Sequence, residues 1–189
     1  MGITRKDQGA VVSGRSRIIG TAGAPNGTGV TVIEEAGLVH KTVINLSSLA
    51  MAGTDNTIMW FAQKIYDFPA GSIVVFGATA DLALTGSNGV KTGAQGDVGL
   101  GTITCDVAGA LAGNDQNIIP STAYTLSSFE YDWTGLNAAI INSGAPFDGT
   151  TTPVDLYLNA ITDAGDFVTS GTLTVSGTVT VSWLNLGDF

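Results

Sequence analysis

The sequence predicts an all-β chain, an antiparallel β-sandwich of jelly-roll type preceded by an extended amino-terminal arm. Three observations predict it: apolar residues alternate with Thr and Ser, turn residues interrupt the alternation at short intervals, and no long stretch has helical periodicity. The alternation is clearest in the closing GTLTVSGTVTVSWLNLGDF. Leu173, Val175, Val179, Val181 and Trp183 stand on odd positions there, and every even position from Thr172 to Ser182 is Thr or Ser. Such a segment puts one face on a core and presents an uncharged polar face. In a jelly roll the last strand can lie within a sheet, with Trp183 as its anchor in the core.

The elements follow in chain order. Residues 1–29 are Gly-rich, lack long apolar runs and end in GTAGAPNGTG, which predicts an arm that orders only against a partner or a neighbouring subunit. Residues 30–189 then form a single sandwich domain. Its strand candidates are GVTVIEE, LVHKTVINLSSL, TIMWFAQKIYDF, SIVVFGATADLAL, GLGTITCDV, VDLYLNAIT and the closing segment. FPAG, at Phe68 to Gly71, has Pro at the second turn position and Gly at the end, and so separates two strands. In TITCDV the alternation of Ile103, Cys105 and Val107 with polar residues predicts a half-buried strand. The best helix candidate, LNAAIIN from Leu136, is too short and uncapped to dominate the fold.

At 189 residues the chain is long enough for one domain that buries roughly 70% of the surface its unfolded form exposes. Its 26 glycines favour tight turns, and its 12% of charged residues fits a surface partly hidden in an assembly. Charge is unevenly placed. Arg5, Lys6, Arg15 and Arg17 are four of the seven basic residues, opposed locally by Asp7, which leaves residues 18–189 with three basic and fifteen acidic groups. A body so acidic repels phosphate backbones, so the expectation is no nucleic-acid binding. No run resembles a secretory leader or the roughly 20 apolar residues of a membrane span, so no membrane association is expected. The lone Cys105 excludes an intrachain disulfide, and the glycosylation-like triplets at Asn26 and Asn45 mean little without a leader.

No motif for catalysis emerges. His40, the one histidine, has no second ligand at metal spacing and no nucleophile-elbow serine to serve, so it reads as an ordinary strand residue. Cys105 has the apolar parity of its segment and reads as core. Glu34 and Glu35 are adjacent and point to opposite faces of a strand, whereas Glu130 in FEYDW sits beside aromatics that could suggest a sugar platform. GSNGVKTGAQGDVGLGT fails as a phosphate cradle, because Lys91 and Thr92 follow Val90 rather than glycine and Asp97 would repel phosphate; a hairpin loop fits better. GNDQN and DAGD gather oxygen ligands on turns without EF-hand spacing, and Asp and Asn favour turns in any case. The expectation is no enzyme, no cofactor and no metal.

Five stretches, KIYDFPAGSIVVFGATADLALT, GDVGLGT, NIIPST, FDGTTTPVDLYLNAI and VTVSWLNLGDF, resemble small structural proteins of tailed-phage virions, of the head decoration or minor capsid kind. The similarity spans about residues 30–189 and consists of turns and strands, not catalytic signatures. It implies a protein that decorates or cements a capsid, contacting the major capsid protein and copies of itself in a symmetric oligomer such as a trimer. The implied location is the capsid surface of a virion assembled in the host cytoplasm. Arg5, Lys6, Arg15 and Arg17 are the interface candidates, meeting acidic surface on a neighbour. The alternative from another class is a carbohydrate-binding sandwich used in host adsorption, with Trp60, Tyr131 or Trp133 as stacking platforms. A hydrolase with an acidic pair brought together by folding has the least material behind it.

Overall fold

The computed structural model describes residues 23–35, 37–53, 59–87, 89–90, 93–105, 110–127, 129–137, 145–163 and 171–187. Among these residues eleven strands form: β1 (Ala24–Pro25), β2 (Val30–Glu35), β3 (His40–Ala52), β4 (Trp60–Asp67), β5 (Gly71–Ser87), β6 (Gln95–Gly101), β7 (Ile119–Thr125), β8 (Glu130–Asn137), β9 (Phe147–Gly149), β10 (Asp155–Thr162) and β11 (Thr172–Asn185). One short 3-10 turn, Gly113–Asp115, precedes β7.

All pairings among the described residues are antiparallel, and they build two sheets. One has the order β1-β4-β10-β6-β7; the other has β2-β3-β11-β5-β8, with β9 also on β5. With β1, β2 and β9 set aside, four strands remain in each sheet. The chain crosses between sheets at β3–β4, β4–β5, β5–β6, β7–β8, β8–β10 and β10–β11, and stays within one sheet only at β6–β7. That winding is a jelly roll. Side chains of both inner faces interdigitate in one core, including Ile44, Phe61, Ile65, Phe68, Leu82, Leu84, Leu158, Val179 and Trp183.

The period-two pattern sets the strand faces. In β11 the five odd-position apolar residues are buried, and the Thr and Ser positions between them are half-buried. β11 lies in mid-sheet, bonded to β3 on one side and β5 on the other, so the carboxyl-terminal segment is held by pairing on both flanks. β3 reverses its parity partway. His40, Thr42, Ile44 and Leu46 point inward, then Leu49 and Met51 do. A bulge makes the switch: Ser47 and Ser48 both fall opposite Ser176, Ser48 adopts φ 53°, and its N–H donates to Ser176 Oγ at 3.0 Å.

The strand predicted over TITCDV is not one. The strand in that region is β6, which ends at Gly101, so it also takes in part of the glycine-rich stretch read as a hairpin loop. After Gly101 the chain leaves the sheet and folds back over its outer face. Thr102 and Ile103 donate to the carbonyl of Asn114 at 2.8 and 3.3 Å, not to a neighbouring strand. Gly101 permits this approach, since a Cβ there would collide with the backbone of Asn114 and Asp115. Ile103 consequently faces solvent, 49% exposed, while Cys105 is buried in a small second core with Leu111 and Ile161. Asp106 and Val107 lie outside the described residues. The helix proposed from Leu136 is also corrected, because Leu136 and Asn137 belong to β8; residues 138–142 lie outside the described residues.

Of the arm assigned to residues 1–29, only Gly23 onward is described. Ala24 and Pro25 pair with Asp67 and Tyr66 of β4, and the Asn26 N–H donates to the Ile65 carbonyl at 3.2 Å.

Candidate functional site

Arg5, Lys6, Arg15 and Arg17 lie outside the described residues, as do Lys91, Thr92 and residues 164–166 of DAGD. The remaining sequence candidates are dispersed. Gly113–Asp115 of GNDQN forms the 3-10 turn, and Asn117 Nδ2 donates to Thr102 Oγ1 at 2.9 Å and to Asn114 Oδ1 at 3.2 Å. These oxygens serve the turn itself. Among the described residues no group of three His, Cys, Asp or Glu side chains is placed to hold a metal ion.

His40 sits at the start of β3, fully buried, its ring stacked on Trp183 at 4.2 Å between centroids. Its Nδ1 lies 2.7 Å from Glu34 Oε1. Glu34 Oε2 accepts from the Tyr66 hydroxyl at 2.8 Å and from the Gly23 N–H at 3.3 Å, and Trp183 Nε1 donates to Thr42 Oγ1 at 2.7 Å. The adjacent Glu35 points the other way, as strand geometry requires, and pairs loosely with exposed Lys41 at 3.9 Å. Through Glu34 and Tyr66 the network fastens Gly23 to the body. Burial, aided by the hydrogen bond to Glu34, pushes the Tyr66 phenol far above its ordinary 10.0. A phenol raised in the folded state contributes stability that is complete below pH 10 and declines as pH climbs toward the folded pKa. Tyr66→Phe is therefore expected to flatten the loss of stability between pH 9 and 11.5, at a cost of about 1–2 kcal/mol at neutral pH. Urea midpoints measured across that range check both effects.

A second polar cluster lies where β1, β4 and β10 meet. Asp67 and Asp155 are direct partners across the β4–β10 ladder, a placement that sets like charges together. Lys64 relieves it, with Nζ 2.7 Å from Asp67 Oδ1 and 3.5 Å from Asp155 Oδ2. Asn26 Nδ2 donates to Asp67 and the Tyr157 hydroxyl to Asp155, both at 3.0 Å. Burial raises the Asp155 carboxyl, and its hydrogen bond with Asp67 raises it further. Burial acts the same way on Asp67, but the hydrogen bonds from Lys64, Asp155 and Asn26 outweigh it and leave that carboxyl below its ordinary value.

Two clefts flank this cluster. One, of about 640 Å³, runs past Gly23, Lys64, Asp67, Pro69 and Pro153. The other, of about 450 Å³, is lined by Ile103, Phe147, Asp148, Pro153, Asp155 and Tyr157. A glycosidase holds its carboxyls at least about 5 Å apart across a sugar, whereas Asp67 and Asp155 face each other directly across the β4–β10 ladder and share Lys64. The sequence could not foretell this cluster, since KIYDF and VDLY are distant in the chain and only the strand register joins them.

The aromatic platform is corrected in one member. Trp133, 1% exposed, is part of the sandwich core and cannot stack on a ligand. Period two explains it: in β8 the rings of Tyr131 and Trp133 take the inward parity, while Glu130 and Asp132 take the outward one and are exposed. Tyr131 is half-buried and packs at 5.8 Å against Tyr124, and half-buried Trp60 packs on the Cys105 cluster.

No family model and no curated protein matches the chain. Among solved structures, one described as "CBM4 structure and function" is similar over 70% of this chain and 94% of that chain, with 15% identity and a TM-score of 0.35. The jelly roll rests on the strand connectivity, not on that likeness.

Proposed function

We propose that this chain is a virion structural protein that decorates or cements the capsid of a tailed phage, packing on the major capsid protein and on further copies of itself. The observation that carries this reading is the outer face of the six-stranded sheet. β3, β5 and β11 run side by side for 13, 17 and 14 residues, and β11 presents an unbroken row of Thr and Ser toward solvent. A broad, regular and weakly charged face without a cleft is suited to lying against another ordered surface. In this reading the protein is not an enzyme, binds neither nucleic acid nor membrane, and resides on the capsid surface. The basic arm, through Arg5, Lys6, Arg15 and Arg17, reaches acidic surface on a neighbour.

Deleting residues 2–20 is expected to abolish co-sedimentation with empty capsids while the far-UV spectrum of the β fold persists. A truncated protein that still pellets with capsids removes the arm from the mechanism. Full-length protein that never pellets with them overturns the virion reading.

A second reading has one observation behind it: the cleft that places Phe147 and Tyr157 near Asp148 and Asp155 combines rings with hydrogen-bonding carboxylates, as sugar sites do. Saturable glycan binding by the isolated protein, lost in Tyr157→Ala, would favour it.

A further inference from the structure

β2 is the outermost strand of the six-stranded sheet, and among the described residues no strand lies along its outward edge. Edges of this kind are usually protected by Lys, Pro, a bulge or a covering segment. β2 reads VTVIEE and carries none of the first three. Apolar surface surrounds it. Ile33 is 62% exposed, and the turn into β3 adds Leu38 at 67% and Val39 at 46%. Thr31, Ile33 and Glu35 occupy the outward-facing positions, with Ile33 beside Val43 and Glu35 beside Lys41 on β3.

A strand that completes this edge needs an apolar residue for Ile33 and a cation two residues away for Glu35. The chain itself contains one. In GRSRIIGTAG, residues Arg17, Ile19 and Thr21 share one parity. Laid antiparallel to β2, they fall opposite Glu35, Ile33 and Thr31 respectively, all on the outer face. This one register joins a charge pair, an apolar pair and a Thr pair, each a favourable cross-strand combination.

The pairing cannot be made within one chain. Continuing the same register would set Gly23 opposite Gly29. Instead the Gly23 N–H reaches Glu34 and the Tyr66 hydroxyl near the far end of β2, and the Gly29 carbonyl accepts from Ser47 at 2.8 Å. We propose that residues 17–21 of a second copy of this chain add a strand to the free edge of β2, with Ile19 opposite Ile33 and Arg17 opposite Glu35. The exchange links neighbouring copies arm to edge and covers the exposed Ile33 in each. It rests on the self-association in the reading above and names the contact that produces it.

The test uses the full chain with paired cysteines. Ile19→Cys with Ile33→Cys, mildly oxidised, is expected to give disulfide-linked oligomers on a non-reducing gel. Gly20→Cys with Ile33→Cys sets the thiols on opposite faces and should give about tenfold less. Ile33 is exposed, so its replacement leaves folding intact, and native Cys105 is buried away from the reaction. Charge reversal supplies a second measurement. Arg17→Glu or Glu35→Arg alone should weaken association about tenfold by light scattering, and the two together should restore it. Disulfides formed within single chains, equal yields from both cysteine pairs, or an oligomer indifferent to the reversals would each overturn the proposal. Capsid co-sedimentation of the same samples separates the two readings. Monomeric protein that pellets with capsids defeats the exchange alone, and cross-linked oligomers that ignore capsids defeat the virion reading alone.

Discussion

Replacing Trp183 by Ala is expected to destabilise the protein by about 3–5 kcal/mol, close to a third or more of what a domain of this kind commonly possesses. The indole is fully buried, stacks on His40 with ring planes 16° apart, and meets the edge of Phe68 at 5.3 Å. β11 bonds to both β3 and β5, so a void beneath it loosens the strand that joins the two halves of the larger sheet. Removing the indole also leaves the Thr42 hydroxyl without the donor that lies 2.7 Å from it. Trp183→Phe keeps most of the ring and loses that hydrogen bond, so about 1–2 kcal/mol is expected from it. Urea unfolding followed by circular dichroism measures both. A loss below 1 kcal/mol for the alanine variant would mean that Trp183 is not a core residue in solution.

Trp183 was legible in the sequence because period two is a strong signal wherever Thr and Ser alternate with aliphatic residues, as from Thr172 to Ser182. The same signal revealed most of the central strands. It failed where tertiary structure overrode local pattern. TITCDV alternates as a strand should, yet Gly101 turns the chain out of the sheet, and the alternation there does not set burial, since Ile103 faces solvent while Cys105 is buried. FEYDW looked like a platform because acids and rings are adjacent in sequence, but a strand sends adjacent residues to opposite faces. β7 carries Pro120 and β9 has only three residues, so neither offers a run long enough to recognise. The Lys64, Asp67 and Asp155 cluster was out of reach for a different reason. It depends on the register between β4 and β10, which is set by the packing of both strands and not written in either one. The Glu34 anchor combines the two cases: its inward parity could be read, but its partners Gly23, His40 and Tyr66 converge only in the fold.

The loop over the smaller sheet should detach when Asn159 is changed. Asn159 occupies an outward-facing position of β10 and is nonetheless fully buried, because residues 102–105 and 110–118 lie over it. Its Nδ2 donates to the carbonyls of Ile103 at 2.9 Å and Asp115 at 2.7 Å, and its Oδ1 accepts from the Cys105 N–H at 3.1 Å. One side chain thus satisfies three backbone groups of an irregular segment. Asn159→Ala strips all three beneath a layer that includes Leu111 and Ile161, and each buried group left unpaired costs about 1–3 kcal/mol. The segment relieves this by lifting away, since water can then pair the exposed groups. The expected global loss is therefore about 2–4 kcal/mol, less than the three penalties together. The distinctive outcome is local. Cys105, 2% exposed and with Sγ 3.4 Å from the Phe61 carbonyl, should become reactive to a thiol reagent under native conditions, while the far-UV circular dichroism of the two sheets stays unchanged. Asn159→Asp supplies the control, because it retains the acceptor for Cys105 and removes both donors. Should Cys105 remain unreactive in Asn159→Ala until the whole protein unfolds, the loop is held by its apolar contacts and not by the asparagine.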